Sequence, residues 1–206
     1  MSIPGAASVV DRADAARSQI MLTFDDGPDP HGTPAVLDVL DRLGIRATFF
    51  LLSERARADP GLLREMVARG HGIGLHGDVH DRLDRLPTAT LACRLRSARS
   101  TLERLTGREI RHHRPPYGFV SGRFARAARL AGLLVVLWSH DPRDWEPRPP
   151  AESDRRLRSC LVPGALVLLH DGCPSFPGQG EATAACLDRV GPLIAERGLQ
   201  AVALET

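Results

Sequence analysis

Short apolar runs alternate with longer amphipathic ones along almost the whole chain, and this alternation limits the available folds more than any other feature. The apolar runs are Gln19 to Phe24, Ala47 to Leu52, Gly72 to Leu75, Arg111 to His113, Leu133 to Trp138, Ala165 to Leu169 and Gln200 to Ala203. Their shortness and continuity predict seven strands buried on both faces. Between them the spacing predicts helices over Thr33 to Leu43, Pro60 to Arg69, Thr88 to Leu105, Ser121 to Leu130, Ala151 to Cys160 and Glu181 to Arg197. In the third of these, Leu91, Leu95, Ala98, Leu102 and Leu105 recur at spacings of four and three, and Gly107 follows as a stop. Such alternation builds a parallel sheet with helices outside it, so the fold class is α/β, either an open sheet or a barrel. No Gly-rich phosphate loop follows the first strand, which weakens the nucleotide-binding form of the open sheet. A 43% hydrophobic content over 206 residues suffices for one core. Without long linkers or repeats, the expectation is an N-terminal arm, residues 1–18, and one domain, residues 19–206.

The polar residues fall at equivalent places. Asp25 and Asp26 follow the first strand, His76 and His80 the third, and Arg114 and Tyr117 the fourth; Asp141, Asp144 and Trp145 follow the fifth, and His170 and Asp171 the sixth. In a parallel barrel all these C-terminal ends share one mouth, where active sites of such folds are built.

Adjacent carboxylates ending a buried strand repel each other and must be desolvated, so a cation or an arginine is expected beside them. If Leu75 ends a strand and a helical turn begins, His76 and His80, four apart, project from one side. With one of the two aspartates they make a two-His, one-Asp set, which suits a divalent ion with an open position, most naturally zinc. Arg114, just before the rigid Pro115-Pro116 pair, is placed to meet the other aspartate. Trp145 beside Asp144 makes a wall for a sugar ring. His31, His71, His112 and His113 read as loop or packed histidines, His140 as slightly closer to the mouth, and Cys173 as a packed thiol.

Together these stretches resemble the polysaccharide deacetylase family, the NodB-homology domain of carbohydrate esterase family four. Thr23 to Pro28 matches its first motif residue for residue. His76 to His80 corresponds to the second, Arg114 to Tyr117 to the third, Asp141-x-x-Asp144-Trp145 to the fourth and Leu168-x-His170 to the fifth. The one departure is Gly77, where the family has Ser or Thr; it bears on the rigidity of the loop rather than on metal binding. The resemblance implies a distorted (β/α) barrel of about seven parallel strands and metal-dependent removal of N-acetyl groups from amino sugars. Asp26, His76 and His80 would hold one divalent metal, zinc first, with cobalt or another divalent ion as alternatives. Asp25 would be the general base, oriented by Arg114, and His170 the general acid, tuned by Asp144. The backbone N–H of Tyr117 would face the oxyanion, and Pro116, Tyr117 and Trp145 would border the substrate. Some relatives cleave other amides or formamides, so a deacylase or deformylase of a biosynthetic intermediate is the alternative.

Two further readings compete. Two histidines and a carboxylate also describe a non-haem iron oxygenase, against which His170 and Arg114 speak; a silent carbohydrate-binding domain conflicts with the filled catalytic positions. A net charge of +2 with interspersed signs argues against nucleic acid. The chain has no lysine, which excludes Schiff-base chemistry. No apolar run approaches the ~18 residues of a membrane span. Acidic and basic residues interrupt Met1 to Arg17, unlike a secretory signal, and Cys93, Cys160, Cys173 and Cys186 are scattered. The expectation is a cytoplasmic monomer acting on a small amino-sugar conjugate or short chito-oligosaccharide, with the loops 142–150 and 172–181 bordering its pocket.

Overall fold

In the computed structural model, which describes residues 9–173 and 176–204, the apolar runs become parallel strands. They are β1 (Val9–Val10), β2 (Gln19–Asp25), β3 (Thr48–Leu52), β4 (Gly72–Gly77), β5 (His112–His113), β6 (Leu134–Val136), β7 (Leu166–His170) and β8 (Gln200–Ala201). The helices are α1 (Gly32–Leu43), α2 (Ser53–Ala58), α3 (Pro60–Ala68), α4 (Thr88–Thr106), α5 (Gly122–Leu130), α6 (Pro150–Cys160), α7 (Gln179–Val190) and α8 (Leu193–Glu196).

The sheet order is β1-β6-β5-β4-β3-β2-β7, with β8 on β2, and every pair is parallel. Beyond β6 the chain crosses to β7, where His140 bridges to Val167 and the Leu168 N–H donates to the His140 carbonyl at 2.9 Å. That bridge draws the two sheet margins together into a distorted (β/α) barrel. Every residue of β3 and β4 is buried, as strands covered on both faces require.

Helix ends are set by local chemistry. Asp29 Oδ1 accepts the His31 and Gly32 N–H groups at 3.0 and 2.9 Å as α1 begins, and Asp59 caps α3 through the Leu62 N–H at 2.9 Å. On α4, Leu91, Leu95, Ala98 and Leu102 are buried as the spacing predicts, each leucine contributing about 1.5–3 kcal/mol. The left-handed Gly107, at φ 68°, ends that helix. No helix among the described residues is long and apolar enough to cross a membrane.

Three expectations are corrected. The N-terminal arm is not loose throughout: Val9 and Val10 pair with Val135 and Val136, and residues 1–8 lie outside the described residues. The helix expected over Glu181 to Arg197 is two, because Pro192 lacks the N–H and the space a continuing helix needs. Finally, α2 has no counterpart in the sequence prediction; six residues with only Ser53 and Ala56 buried carry too little periodicity to be seen.

Candidate active site

Asp25 ends β2, and Asp26 follows with φ 76°, a left-handed conformation that a non-glycine residue keeps only when its surroundings impose it. The change from extended to left-handed backbone parts the two carboxylates. Asp25 Oδ1 accepts from Arg114 Nη1 at 2.8 Å, while Asp26 Oδ1 faces His76 and His80. Below the turn lies Asp171, fully buried and accepting from the Thr33 hydroxyl. A Cβ on Gly27 would lie 2.2 Å from Asp171 Oδ2, so only glycine fits there.

Arg114 is 0% exposed. Its guanidinium also donates to Thr23 Oγ1 at 2.7 Å and the Leu137 carbonyl at 2.8 Å, and lies 4.2 Å from the centre of the Phe50 ring. Burial pulls its pKa below the ordinary arginine value, and the Asp25 charge opposes that pull.

The histidines supply the test of whether a metal fits. His76 Nδ1 lies 2.8 Å from the Arg114 carbonyl, which can only accept, so Nδ1 carries the proton and the neutral ring presents a lone pair at Nε2. That Nε2 is 3.2 Å from Asp26 Oδ1, and His80 Nε2 is 3.5 Å from the same oxygen. Neither contact is an aligned hydrogen bond, and Asp26 Oδ1 is buried with no hydrogen-bond partner. Acceptors converging on a buried carboxylate oxygen call for a cation, and one ligand atom from each of the three residues lies within 4.8 Å of the others. Burial works against the charge on Asp26, but His76, His80 and His170 outweigh it and hold the carboxyl below its usual range. Burial lowers the pKa of His80, with Asp26 opposing. The three residues fit a divalent metal.

Across the cavity, His170 ends β7. Its Nδ1 is 2.8 Å from Asp144 Oδ1, and Asp144 Oδ2 accepts the His170 backbone N–H at 2.8 Å and the Thr183 hydroxyl at 2.7 Å. Burial would depress this imidazole, but Asp144, then Asp25 and Asp26, overcome it and push the pKa up to about 10. A cation beside the aspartates offsets their share and leaves that of Asp144.

These groups line a cavity of about 530 Å³. Among the described residues its wall includes Tyr117, Trp145, Trp138, Leu168, Cys173 and Phe176, and no arginine. Tyr117 and Gly118 are both left-handed, at φ 62° and 68°, and a Cβ on Gly118 would meet the Trp138 ring at 2.6 Å. The structure therefore gathers Asp25, Asp26, His76, His80, Tyr117, Trp145 and His170 around one space, with Arg114 and Asp144 directly behind Asp25 and His170. Pro116 departs from expectation: both prolines are buried, and it is Pro115 that lines the cavity. Cys173, expected to be packed, is half-buried and borders the space. His71 and His113 are core residues, depressed by burial to about 4 and about 3.

Sequence reasoning missed Trp138 and the supporting role of Asp171, and reached Phe176 only as part of the loop 172–181 expected to border the pocket. Trp138 follows a strand in the position of the other site residues, a usable signal; Phe176 sits in a loop without local pattern.

The family model for polysaccharide deacetylases matches residues 12–136. The chain is 38% identical to a chitooligosaccharide deacetylase of Sinorhizobium fredii, over 92% of this chain and 91% of the relative. It is 32% identical to the Listeria monocytogenes peptidoglycan-N-acetylglucosamine deacetylase PgdA, over 91% of this chain and 38% of that longer protein. Among solved structures, the Bc1960 peptidoglycan N-acetylglucosamine deacetylase superposes with a TM-score of 0.88 at 28% identity, covering 96% of this chain and 91% of that one. The Streptomyces lividans family 4 carbohydrate esterase gives 0.80 at 27% identity, covering 91% and 93%. With the motifs gathered at one barrel mouth, a family model matching more than half its length and relatives along nearly all of it, this chain belongs to the polysaccharide deacetylase family.

Proposed function

We propose that this protein is a zinc-dependent N-deacetylase of short chito-oligosaccharides or related neutral amino-sugar conjugates. The observation that carries the reading is the placing, around one cavity, of a buried ion-paired carboxylate, a cluster of metal-fitting donors and a histidine held by a carboxylate. Asp26, His76 and His80 hold the metal; two imidazoles and one carboxylate are a donor set that zinc favours. When bound, the metal polarises the amide carbonyl and acidifies water.

The chain's own residues do the rest. Asp25, oriented by Arg114 against Thr23 and Leu137, accepts the proton of the attacking water as its oxygen bonds to the acetyl carbon. The backbone N–H of Tyr117 donates to the developing oxyanion; removing a donor of this kind costs about 3 kcal/mol of transition-state stabilisation. His170, kept protonated by Asp144, passes a proton from Nε2 to the departing nitrogen as the C–N bond breaks. Free amine and acetate result.

A wall of Tyr117, Trp138, Trp145 and Phe176, with no arginine among the described residues, favours stacking on uncharged sugar rings over recognition of an anion. Four cysteines without a disulfide fit a reducing compartment, and we place the activity in the cytoplasm. The test is acetate release by zinc- and cobalt-loaded protein from chito-oligosaccharides of two to five sugars, polymeric chitin and peptidoglycan. Turnover of the oligosaccharides is expected; turnover confined to the polymers would overturn the substrate, and none with any amide would overturn the activity.

A further inference from the structure

The helix without a sequence signature, α2, begins where the two loops carrying the metal-fitting residues come together. On one side the Leu52 N–H donates to the Gly27 carbonyl at 3.0 Å, and Arg55 Nη1 donates to the Asp26 carbonyl at 3.0 Å. Arg55 is confined there: Asp29 Oδ2 is 3.8 Å away, and a Cβ on Gly172 would lie 2.9 Å from Nη1. On the other side, the buried Ser53 hydroxyl donates to Asp78 Oδ1 at 2.6 Å, and the Glu54 N–H donates to the Asp78 carbonyl at 3.1 Å. Asp78 lies midway between His76 and His80 in the chain. One helical turn thus holds the Asp26 turn through main-chain carbonyls and the histidine loop through Asp78.

Both loops need an outside support. Asp26 is left-handed, and its own Oδ1 makes no hydrogen bond. Gly77 has no side chain to tie the histidine loop, and cannot gain one freely, since a Cβ would lie 2.9 Å from the Val79 carbonyl oxygen. A single rigid element gripping both loops sets the distance between the donors they carry.

We propose that Ser53 and Arg55 are positioning residues that fix the separation of Asp26 from His76 and His80 and thereby set the affinity for the metal. The inference rests on the ligand set proposed above. Neither residue touches metal or substrate; they act through the backbone of the Asp26 turn and through Asp78. Groups that orient metal ligands typically contribute 10- to 100-fold in affinity, and these two sit at the lower end because each loop retains a backbone bond to the helix.

The experiment uses the full chain stripped by a chelator, with zinc affinity read by competition against a chromogenic chelator, the cobalt d–d absorption band, and urea unfolding of the stripped protein. Ser53→Ala and Arg55→Ala are each expected to weaken zinc by about tenfold and to shift the cobalt band, and Arg55→Lys to recover most of the loss. Ser53→Ala combined with Asp78→Ala is expected to be no worse than Asp78→Ala, because Asp78→Ala already removes the Ser53 contact together with that of Arg57, whose Nη2 donates to the same Oδ1 at 3.1 Å. Ser53→Ala with Arg55→Ala is expected to lose about the product of the single effects, because they hold different loops. Should Ser53→Ala unfold the stripped protein, Ser53→Cys, similar in volume but a weaker donor, replaces it with the same expected direction. Zinc affinity and cobalt band both unchanged in the folded single variants, whatever their urea midpoints, would overturn the proposal. Asp26→Ala separates the two levels: if it binds zinc like the parent, the ligand set is wrong, and if it loses zinc while the Ser53 and Arg55 variants do not, only the positioning role fails.

Discussion

Asp25, Asp26 and His76 on the floor of the cavity are at most 4% exposed, whereas Tyr117 and Phe176 on its rim are 55% and 40% exposed. Each floor residue is bound into the barrel: Asp25 by Arg114, His76 by the Arg114 carbonyl, the Asp26 backbone by Arg55. The rim aromatics stand on connecting segments and contribute surface. Charges on the floor are desolvated, so each depends on its partner and none can be changed alone without cost. The rim is free to vary, which suits the part of a site that selects substrates.

Breaking the floor should have the largest effects. Asp25→Asn is expected to lower kcat by about 10³-fold while zinc affinity stays near that of the parent, read by single-turnover acetate release and chelator competition. Asp26→Asn should do the reverse, weakening zinc first; the opposite pattern would exchange the two roles. Next comes Arg114→Leu, which leaves the Asp25 carboxylate buried without its partner. A loss of about 3–5 kcal/mol in urea unfolding is expected, and a loss under about 1 kcal/mol would mean that water reaches the floor.

Asp144→Asn probes the border between the two regions. With Asp144 in place His170 is held above its ordinary value, so the acid stays protonated through neutral pH. Without it the pKa returns toward about 6.5, and activity should fall as pH rises above that value, by about thirtyfold at pH 8. Linkage has the same sign. A histidine whose folded pKa is raised adds stability that is complete below about 6.5 and lost as pH climbs toward about 10. The variant should flatten that decline, and an unchanged pH profile of kcat would exclude His170 as the acid. The smallest effect is expected on the rim: Phe176→Ala should raise KM by about threefold on a chito-oligosaccharide with kcat unaltered. A large fall in kcat would make Phe176 part of the floor.

Much of this arrangement is legible in the chain. The apolar runs predict the strands to within a few residues, and Asp25-Asp26, His76-x-x-x-His80, Arg114, Asp144 and His170 announce a mouth because each follows a strand. What escapes notice is short or nonlocal. Val9–Val10 joins the sheet with two residues, and α2 buries only Ser53 and Ala56, so neither carries a period. Pro116 looks like a border residue, yet its neighbour Pro115 is the one that lines the cavity. Asp171 reads as the ordinary companion of His170, yet lies fully buried beneath Gly27, where burial pushes its carboxyl up to about 7.

By itself the sequence determined the order of elements and the residue types at each strand end, since periodicity and composition are local properties that burial selects directly. Spacing alone did not order the two aspartates: the family resemblance assigned Asp26 to the metal, and the tertiary structure is what turns it to the histidines. That orientation depends on one left-handed residue, a guanidinium reaching from β5 and a carbonyl gripped by Arg55, contacts separated by 89 and 29 positions along the chain. No local pattern encodes such contacts; they exist only once the barrel brings its strand ends to one mouth.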